Sequence, residues 1–361
     1  MNKDNIIFNS QFVLIAMISI ITFKVLMLPS YLINYSSHNA YLCMFIMMSI
    51  ELIMIVIVYK TITIANIQSI NMIEPLKAIL VLLVLVSSIF KLGTFIFEGA
   101  DYVKEDVFVN ANMVYILIPI FVCSSYIGMK GMKSIGRISE ILIWLILCAL
   151  VFNILFGKIK INGEYLKLNS TFSNMCIGMD KHFIWFADFT PFLFTKINDK
   201  KKNRALLIWG IITIFLIPTL ITVVFIGSFS NSGSYIQNAF SKIAIFNQFS
   251  DIMGNFNILA IMAFLTCFII KISLILFAII ECIKYFFFDK KYMQYIVLAT
   301  VFLILVFGFK SKENSYRIAT SFYRYVFGLL DYFIPMIFFI FAYRKRNILE
   351  EKARFVNEKN S

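Results

Sequence analysis

Charged residues are scarce in this chain of 361 residues, and that scarcity excludes most classes of soluble protein. Only 15% of the residues are Asp, Glu, Lys or Arg, whereas 60% are hydrophobic. Soluble domains are about a quarter charged. A chain with so little charge requires lipid as its solvent. We therefore predict an integral membrane protein and not a soluble enzyme.

Motifs of catalysis and of metal binding are also missing. The sequence has no phosphate-binding glycine-rich loop and no HExxH motif, and its two histidines, His38 and His182, lie near predicted membrane edges. The six cysteines show no CxxC spacing, and only Cys176 falls in an outer loop, which argues against a disulfide framework. We therefore expect no catalytic residues, no metal site and no bound cofactor.

Long apolar runs are what the sequence does contain. A helix needs about 20 apolar residues to cross ~30 Å of hydrocarbon, and runs near this length recur along the whole chain. We predict an all-α fold of about ten transmembrane helices that forms a single domain, 1–361. The predicted spans are Phe12–Ile33, Tyr41–Tyr59, Ile79–Phe97, Met113–Gly128, Ile138–Phe156, Phe183–Ile197, Ala205–Ser228, Phe256–Ile283, Met293–Phe309 and Phe322–Tyr343.

The distribution of basic residues predicts the orientation. Most of the 33 Lys and Arg residues fall in alternate loops and in both termini, and loops rich in these residues stay in the cytoplasm. The densest cluster, Lys196 with Lys200, Lys201, Lys202 and Arg204, marks the connection between the sixth and seventh spans as cytoplasmic. Both termini, including a solvated tail over 344–361, are therefore predicted to be cytoplasmic. The net charge of +13 then indicates membrane topology and attraction to anionic lipid rather than nucleic-acid binding.

Two ionisable residues lie beside prolines inside predicted spans. Lys24 precedes Pro29 in span one, and Asp188 precedes Pro191 in span six. A charge at mid-helix costs about 2.5–3.5 kcal/mol, and proline removes a backbone donor. We therefore predict that helices one and six are broken, as in secondary transporters of inverted-repeat architecture.

Such a five-plus-five repeat would cover about 10–157 and about 182–343 and would bring Lys24 close to Asp188 at a midplane pocket. Lys24 could instead extend toward an interface, and Asp188 could cap a helix end. The adjoining aromatic residues Phe23, Trp185 and Phe186 are candidates for the pocket wall.

Further ionisable residues fall in or near other spans. Lys271 lies midway along span eight, so it should face a polar interior or pair with a carboxylate. Lys91, Glu51 and Asp331 also lie in or near the membrane, and Lys91 joins the predicted ligand-binding set. Arg137 and Glu140, three residues apart near the end of span five, are predicted to form a local ion pair. We assign Lys271, Arg137 and Glu140, with Pro29 and Pro191, to structural or coupling roles.

Several local patterns resemble one known family. Val25–Ser30 resembles an apolar run that ends in Leu-Pro-Ser. Lys130-Gly131 followed by Arg137–Ile141 resembles a basic-Gly and Arg-x-x-Glu stretch, Trp185–Asp188 stands where Pro-Phe-Gly-Glu is usual, and Ile270–Ser273 resembles an Ile-Lys-Ile-Ser element. In order and spacing the chain is similar to the B subunits of spore germination receptors, the GerAB-type spore germination permeases. These belong to the amino acid–polyamine–organocation transporter superfamily, whose fold is LeuT-like.

The resemblance implies a ligand site at the two helix breaks, and the sequence departs from the family there. Family members usually carry glycines at the positions of Thr22 and Lys24, which expose backbone N–H groups to an amino acid carboxylate. Ala187 and Asp188 replace Gly and Glu in the same way. Either the ammonium group of Lys24 binds the carboxylate of the ligand, or Lys24 pairs with Asp188 and fills the site.

The resemblance predicts the transporter-like subunit of a germinant receptor in the spore inner membrane. Such a subunit binds a small nutrient, here an amino acid, and works with an A subunit and a C-subunit lipoprotein. A secondary amino acid or amine transporter and a non-binding membrane scaffold stay open as alternatives, because sensing and transport require the same pocket.

Overall fold

The computed structural model describes residues 5–70, 72–108, 110–155, 161–167, 171–186, 188–198, 204–236, 238–240, 243, 257–287 and 291–359, and it confirms an all-α membrane protein. Eight helices within these ranges are long and apolar enough to cross a bilayer, and Met113–Met129 is a shorter apolar helix. Nine of the ten predicted spans coincide with these helices. The sixth is different and is described below.

The described residues form mainly α-helices, with several 3-10 turns and two short strands. The helices are α1 (Asn9–Leu26), α2 (Leu28–Ser36), α3 (Ala40–Ile64), α4 (Glu74–Asp106), α5 (Met113–Met129), α6 (Met132–Leu155), α7 (Phe172–His182), α8 (Arg204–Phe229), α9 (Asn257–Phe287), α10 (Lys291–Ile304), α11 (Lys312–Thr320) and α12 (Tyr323–Lys359). Single 3-10 turns include Ile67–Ser69, Phe183–Trp185, Thr190–Phe194 and Ser230–Tyr235, and α10 ends in a π-helical turn, Leu305–Phe309. Two short strands, β1 (Ile6–Ile7) and β2 (Lys196–Ile197), pair in parallel with Ile6 opposite Lys196.

Helices α1 and α9 form the centre of the bundle. In the most apolar stretches of α1 and α9, 89% and 83% of the residues are buried, whereas only 22% are buried in the corresponding stretch of α8. A helix that is apolar on every face belongs in the core of a bundle, and α1 packs against α6, α8 and α9. The peripheral helices instead direct large apolar side chains such as Trp209 outward, where lipid replaces protein as the neighbour.

The first predicted break is present, but it is a one-residue interruption at Met27. The N–H group of Met27 still bonds to the carbonyl oxygen of Phe23, and α2 begins at the next residue with Pro29 in its first turn. Proline is well tolerated there, because the first turn of a helix has no intrahelical acceptor for its N–H groups. The chain therefore bends two residues before the proline.

The sixth predicted helix, Phe183–Ile197, is broken over most of its length. Two 3-10 turns flank an extended residue, Phe186, and the non-helical Asp188, and Pro191 lies in the first turn of the second one. The segment ends in β2. The preceding region, predicted as an outer loop, contains helix α7, which Thr171 caps by accepting a hydrogen bond from the backbone of Asn174.

Both ends of the described chain lie on the same face of the bundle. The pairing of β1 with β2 joins the N-terminal end to the residues after the sixth segment. The side chain of Lys345 in α12 donates to the carbonyl oxygen of Ser69, which follows α3. This arrangement agrees with an even number of crossings. Which face is cytoplasmic, and the inverted repeat of 10–157 and 182–343, stay predictions from the sequence.

Candidate ligand site

Asp188, in the unwound sixth segment, is the centre of a buried charge network. Its Oδ1 lies 3.0 Å from the Nζ of Lys91 in α4, and its Oδ2 lies 2.7 Å from the Nζ of Lys271 in α9. The three side chains are at most 5% exposed. Each carboxylate oxygen thus has a charged donor, which compensates part of the cost of removing the charges from water.

Lys91 connects this aspartate to α12 and to the backbone of the break. Its ammonium group lies 2.9 Å from Oδ2 of Asp331 and donates to the carbonyl oxygen of Phe186 at 3.1 Å. Asp331 also accepts a hydrogen bond of 3.1 Å from the hydroxyl group of Thr190. The unwound backbone is therefore satisfied by side chains from neighbouring helices, as membrane depth requires.

Lys271 is held as the sequence predicted, in a polar interior and paired with a carboxylate. Besides Asp188 it binds the carbonyl oxygen of Ser19 in α1 at 3.1 Å. Its ammonium group also lies 4.1 Å from the ring centre of Phe95 and 4.8 Å from that of Phe23. Aromatic faces stabilise a desolvated cation, so Phe23 contacts the ammonium group of Lys271, while its predicted role in ligand binding stays a prediction.

The predicted contact between Lys24 and Asp188 is not observed. Lys24 forms an ion pair with Glu51 of α3, both side chains are 0% exposed, and its ammonium group lies 4.7 Å from the ring centre of Phe186. Asp188 is already occupied by two other lysines, and α3 presents a carboxylate directly beside Lys24. The sequence places Glu51 in or near the membrane but does not identify it as the partner of Lys24.

The two clusters together fill the position predicted for the ligand. Three lysines face three carboxylates, so this group is neutral overall. The cavity bordered by Ser19, Lys91, Asp188, Lys271 and Asp331 has a volume of only about 10 Å³. That is about the minimum space for one water molecule. The central site is therefore closed around its own charges.

Glu98 is a further buried acid, and it is absent from the site residues predicted from the sequence. It is 0% exposed, and its Oε2 accepts a hydrogen bond of 3.2 Å from the indole N–H group of Trp185. Lys91, Glu98 and Glu105 recur at intervals of seven residues and so lie on one face of α4. This seven-residue spacing is the sequence signal that could have identified Glu98 as a residue on the same face as Lys91.

A vestibule of about 580 Å³ lies on the far side of Trp185. It is lined by acids and bases of α4 and α11, among them Asp101, Glu105 and Lys312, and the Nζ of Lys312 lies 2.5 Å from Asp101. Tyr31 and Tyr316 form part of its wall, and their ring centres lie 6.2 and 5.9 Å from that of Trp185. This aromatic layer separates the vestibule from the central network.

The other predicted site residues have various environments. The hydroxyl group of Thr22 donates to the carbonyl oxygen of Ile18 within α1 at 2.6 Å. Ala187 lies outside the described residues. The ion pair predicted between Arg137 and Glu140 is wrong, because Arg137 is exposed and no contact within 4.0 Å joins these two side chains.

The chain is similar to known proteins only at the level of solved structures. No family model matches the chain, and no curated protein matches it. Among solved structures the chain is similar to Mhp1, a nucleobase-cation-symport-1 family transporter, in a closed conformation with bromovinylhydantoin bound. The two chains are 12% identical, the TM-score is 0.41, and the match covers 94% of this chain and 74% of that one. This similarity shows no family for the present chain.

Proposed function

We propose that this chain is the transporter-like subunit of a spore germinant receptor, which binds a small nutrient at the two chain breaks. The observation that carries the proposal is the network around Asp188, because it places exchangeable charges of both signs at an unwound segment in the middle of the bundle. The sequence patterns that resemble GerAB-type permeases support the same assignment.

An amino acid is the ligand class that matches this network. Its ammonium group competes with Lys91 and Lys271 for Asp188, and its carboxylate competes with Asp188 for the two lysines. Binding therefore exchanges internal ion pairs for ligand ion pairs and leaves the cluster neutral. Because about 10 Å³ is free, the site opens before the ligand enters, and the gain in binding free energy is reduced by the cost of opening.

A sensing role agrees with a site that is closed by its own charges. A ligand that separates Asp188 from its lysines also moves α4, α9 and α12, which carry Lys91, Lys271 and Asp331. Those helices then pass the signal to an A subunit and a C-subunit lipoprotein in the spore inner membrane. A non-binding scaffold is the second candidate, and the closed cavity around Asp188 favours it.

Complementation of spores that lack this subunit tests the proposal. We expect Lys271→Met to abolish germination triggered by amino acids, whereas Lys167→Met, at an exposed lysine of an outer loop, should leave it intact. The quantity of the chain in spore membranes and its co-purification with the A and C subunits are measured in parallel. An unchanged response in Lys271→Met supports the scaffold, and uptake of labelled amino acids into vesicles that contain the chain alone supports transport.

A further inference from the structure

Glu98 differs from the other buried acids of the bundle in its partners. Glu51, Asp188 and Asp331 each lie within 3.0 Å of a lysine ammonium group. Among the residues that the structure describes, no lysine or arginine lies within 4.0 Å of Glu98. Its Oε2 accepts a hydrogen bond from the neutral indole of Trp185, and its Oε1 accepts none from the part of the chain that the structure describes.

The charged and titratable groups around Glu98 do not neutralise it. Lys312 of α11 and Lys271 of α9 act on it from a distance, but each has a closer carboxylate, Asp101 at 2.5 Å and Asp188 at 2.7 Å. Asp101 adds a further negative charge from α4, the phenols of Tyr31 and Tyr316 interact with Glu98, and the imidazole of His182 packs against Trp185. An isolated carboxylate that is removed from water is strongly unfavourable, so the position requires a proton or a cation.

The place of Glu98 in α4 connects it to the vestibule. Glu98, Asp101 and Glu105 follow one another at intervals of three and four residues, which places them on one face, about 4.5 and 6 Å apart along the helix axis. Asp101 and Glu105 line the vestibule, while Glu98 lies one turn deeper, bonded to Trp185. The acidic face of α4 therefore leads from the vestibule toward Lys91 and the central network.

The walls of this route suit an organic ammonium group. The rings of Tyr31, Tyr316 and Trp185 form one aromatic layer above Glu98, with centres 5.1 to 6.2 Å apart. Aromatic faces and carboxylates together are the surroundings in which a desolvated ammonium group is stabilised. Lys104 and Lys310 also line the vestibule and supply the opposite charge for a carboxylate.

We infer that Glu98 is an exchange site for cations: it holds a proton when the vestibule is empty and binds the ammonium group of a ligand that enters from the vestibule. When the ligand arrives, the proton leaves the carboxyl O–H for water in the vestibule, and the ammonium group donates a hydrogen bond to the carboxylate that remains. The net charge of the site is unchanged. The ligand class rests on the proposed function, whereas the proton-binding role does not.

Infrared spectroscopy of the purified full chain tests the protonation directly. We expect a protonated carboxylic acid band at neutral pH that disappears in Glu98→Gln and persists in Glu164→Gln, a matched change at a side chain that is 75% exposed. Methylammonium chloride should remove the band from the wild type, and sodium chloride at equal ionic strength should not. Absence of the band, its persistence in Glu98→Gln, or its persistence with methylammonium would overturn the inference.

The response of complemented spores separates this inference from the proposed function. Glu98→Gln keeps the shape and the hydrogen bond to Trp185 but cannot take up a charge, so germination triggered by amino acids should fall at least tenfold in rate. Glu98→Asp should recover part of the rate. If Glu98→Gln responds normally while Lys271→Met does not, the exchange role is wrong and the receptor assignment stands. If neither variant changes the response, both are wrong.

Discussion

The two chain breaks differ although each lies near a proline. At the first break, Met27 alone departs from helical structure, and the nearby Lys24 forms an ion pair with Glu51 of α3. At the second, Phe183–Ile197 loses regular helical structure, and Asp188 binds lysines from two other helices. The first break is thus a bend with one lateral ion pair, whereas the second is the centre of a network that ties α4, α9 and α12 together.

Position within the helix does not account for the difference, because each proline lies in the first turn of the element that it begins. Pro29 falls in the first turn of α2, where its missing N–H group removes no hydrogen bond, so helical structure resumes at once. In the sixth segment the carbonyl oxygen of Phe186 is free of helical bonding and accepts from Lys91. Unwinding persists where side chains from other helices satisfy the backbone. A proline alone therefore does not determine how far a membrane helix unwinds.

The largest effect should come from Asp188→Asn. This change leaves Lys91 and Lys271 without their shared carboxylate, and removal of one partner of a buried ion pair costs about 3–5 kcal/mol. We expect a loss of this size in the free energy of unfolding in detergent, measured with a denaturing detergent titration. Glu164→Gln is the exposed control. A loss of less than about 1 kcal/mol would show that Asp188 does not organise the network.

A double-mutant cycle on Lys24 and Glu51 should show the next largest effect. Each of Lys24→Met and Glu51→Leu leaves one buried charge and should cost about 3 kcal/mol, whereas the double variant should return to within about 1 kcal/mol of the wild type. The same unfolding titration measures all three. Because no contact within 4.0 Å joins Lys24 to Asp188, Lys24→Met and Asp188→Asn should be coupled much less strongly than Lys24→Met and Glu51→Leu. Strong coupling between Lys24 and Asp188 would instead support the direct contact that was predicted from the sequence.

Acid should weaken the contact between the two broken regions through His182. This histidine ends α7, packs against Tyr31 of α2 and Trp185, and donates from Nδ1 to the carbonyl oxygen of Gly178 at 2.8 Å. Burial lowers the pKa of His182 from 6.5 to about 4. The unfolded chain therefore binds the extra proton first, and stability falls between these two pH values by about 1.4 kcal/mol for each pH unit.

Melting temperatures of the wild type and of His182→Phe over pH 4 to 7 measure this effect, because the difference between their pH profiles isolates the histidine. His38→Phe is the control, since His38 is only partly buried. Equal slopes in the wild type and His182→Phe would mean that His182 does not titrate in this range.

Pro29→Ala should have the smallest effect. The residue occupies the first turn of α2, so alanine fits the same backbone and leaves the hydrogen bonds within α2 unchanged. We expect a change of less than about 1 kcal/mol in the free energy of unfolding. Pro191→Ala in the sixth segment is the paired variant. A larger effect at Pro29 than at Pro191 would reverse the comparison between the two breaks.

Much of this architecture could be read from the sequence. Runs of about 20 apolar residues specify membrane helices because lipid cannot satisfy backbone groups, so the pattern of apolar runs identified the all-α class and nearly every span. The cost of burying a charge identified Lys24, Lys91, Asp188 and Lys271 as residues that need partners. The position of Lys271 midway along span eight was enough to predict its pairing with a carboxylate.

The identity of the partners was decided only by the tertiary structure. A charge in a span shows that a counter-charge is needed, but several acids compete for it, and the winner depends on which faces of the helices meet. Lys24 pairs with Glu51 because α3 packs beside it, while the unwound segment brings Asp188 to Lys91 and Lys271. The same packing closes the central cavity and leaves the vestibule open, since ion pairs across helices fill space that no single-helix pattern describes.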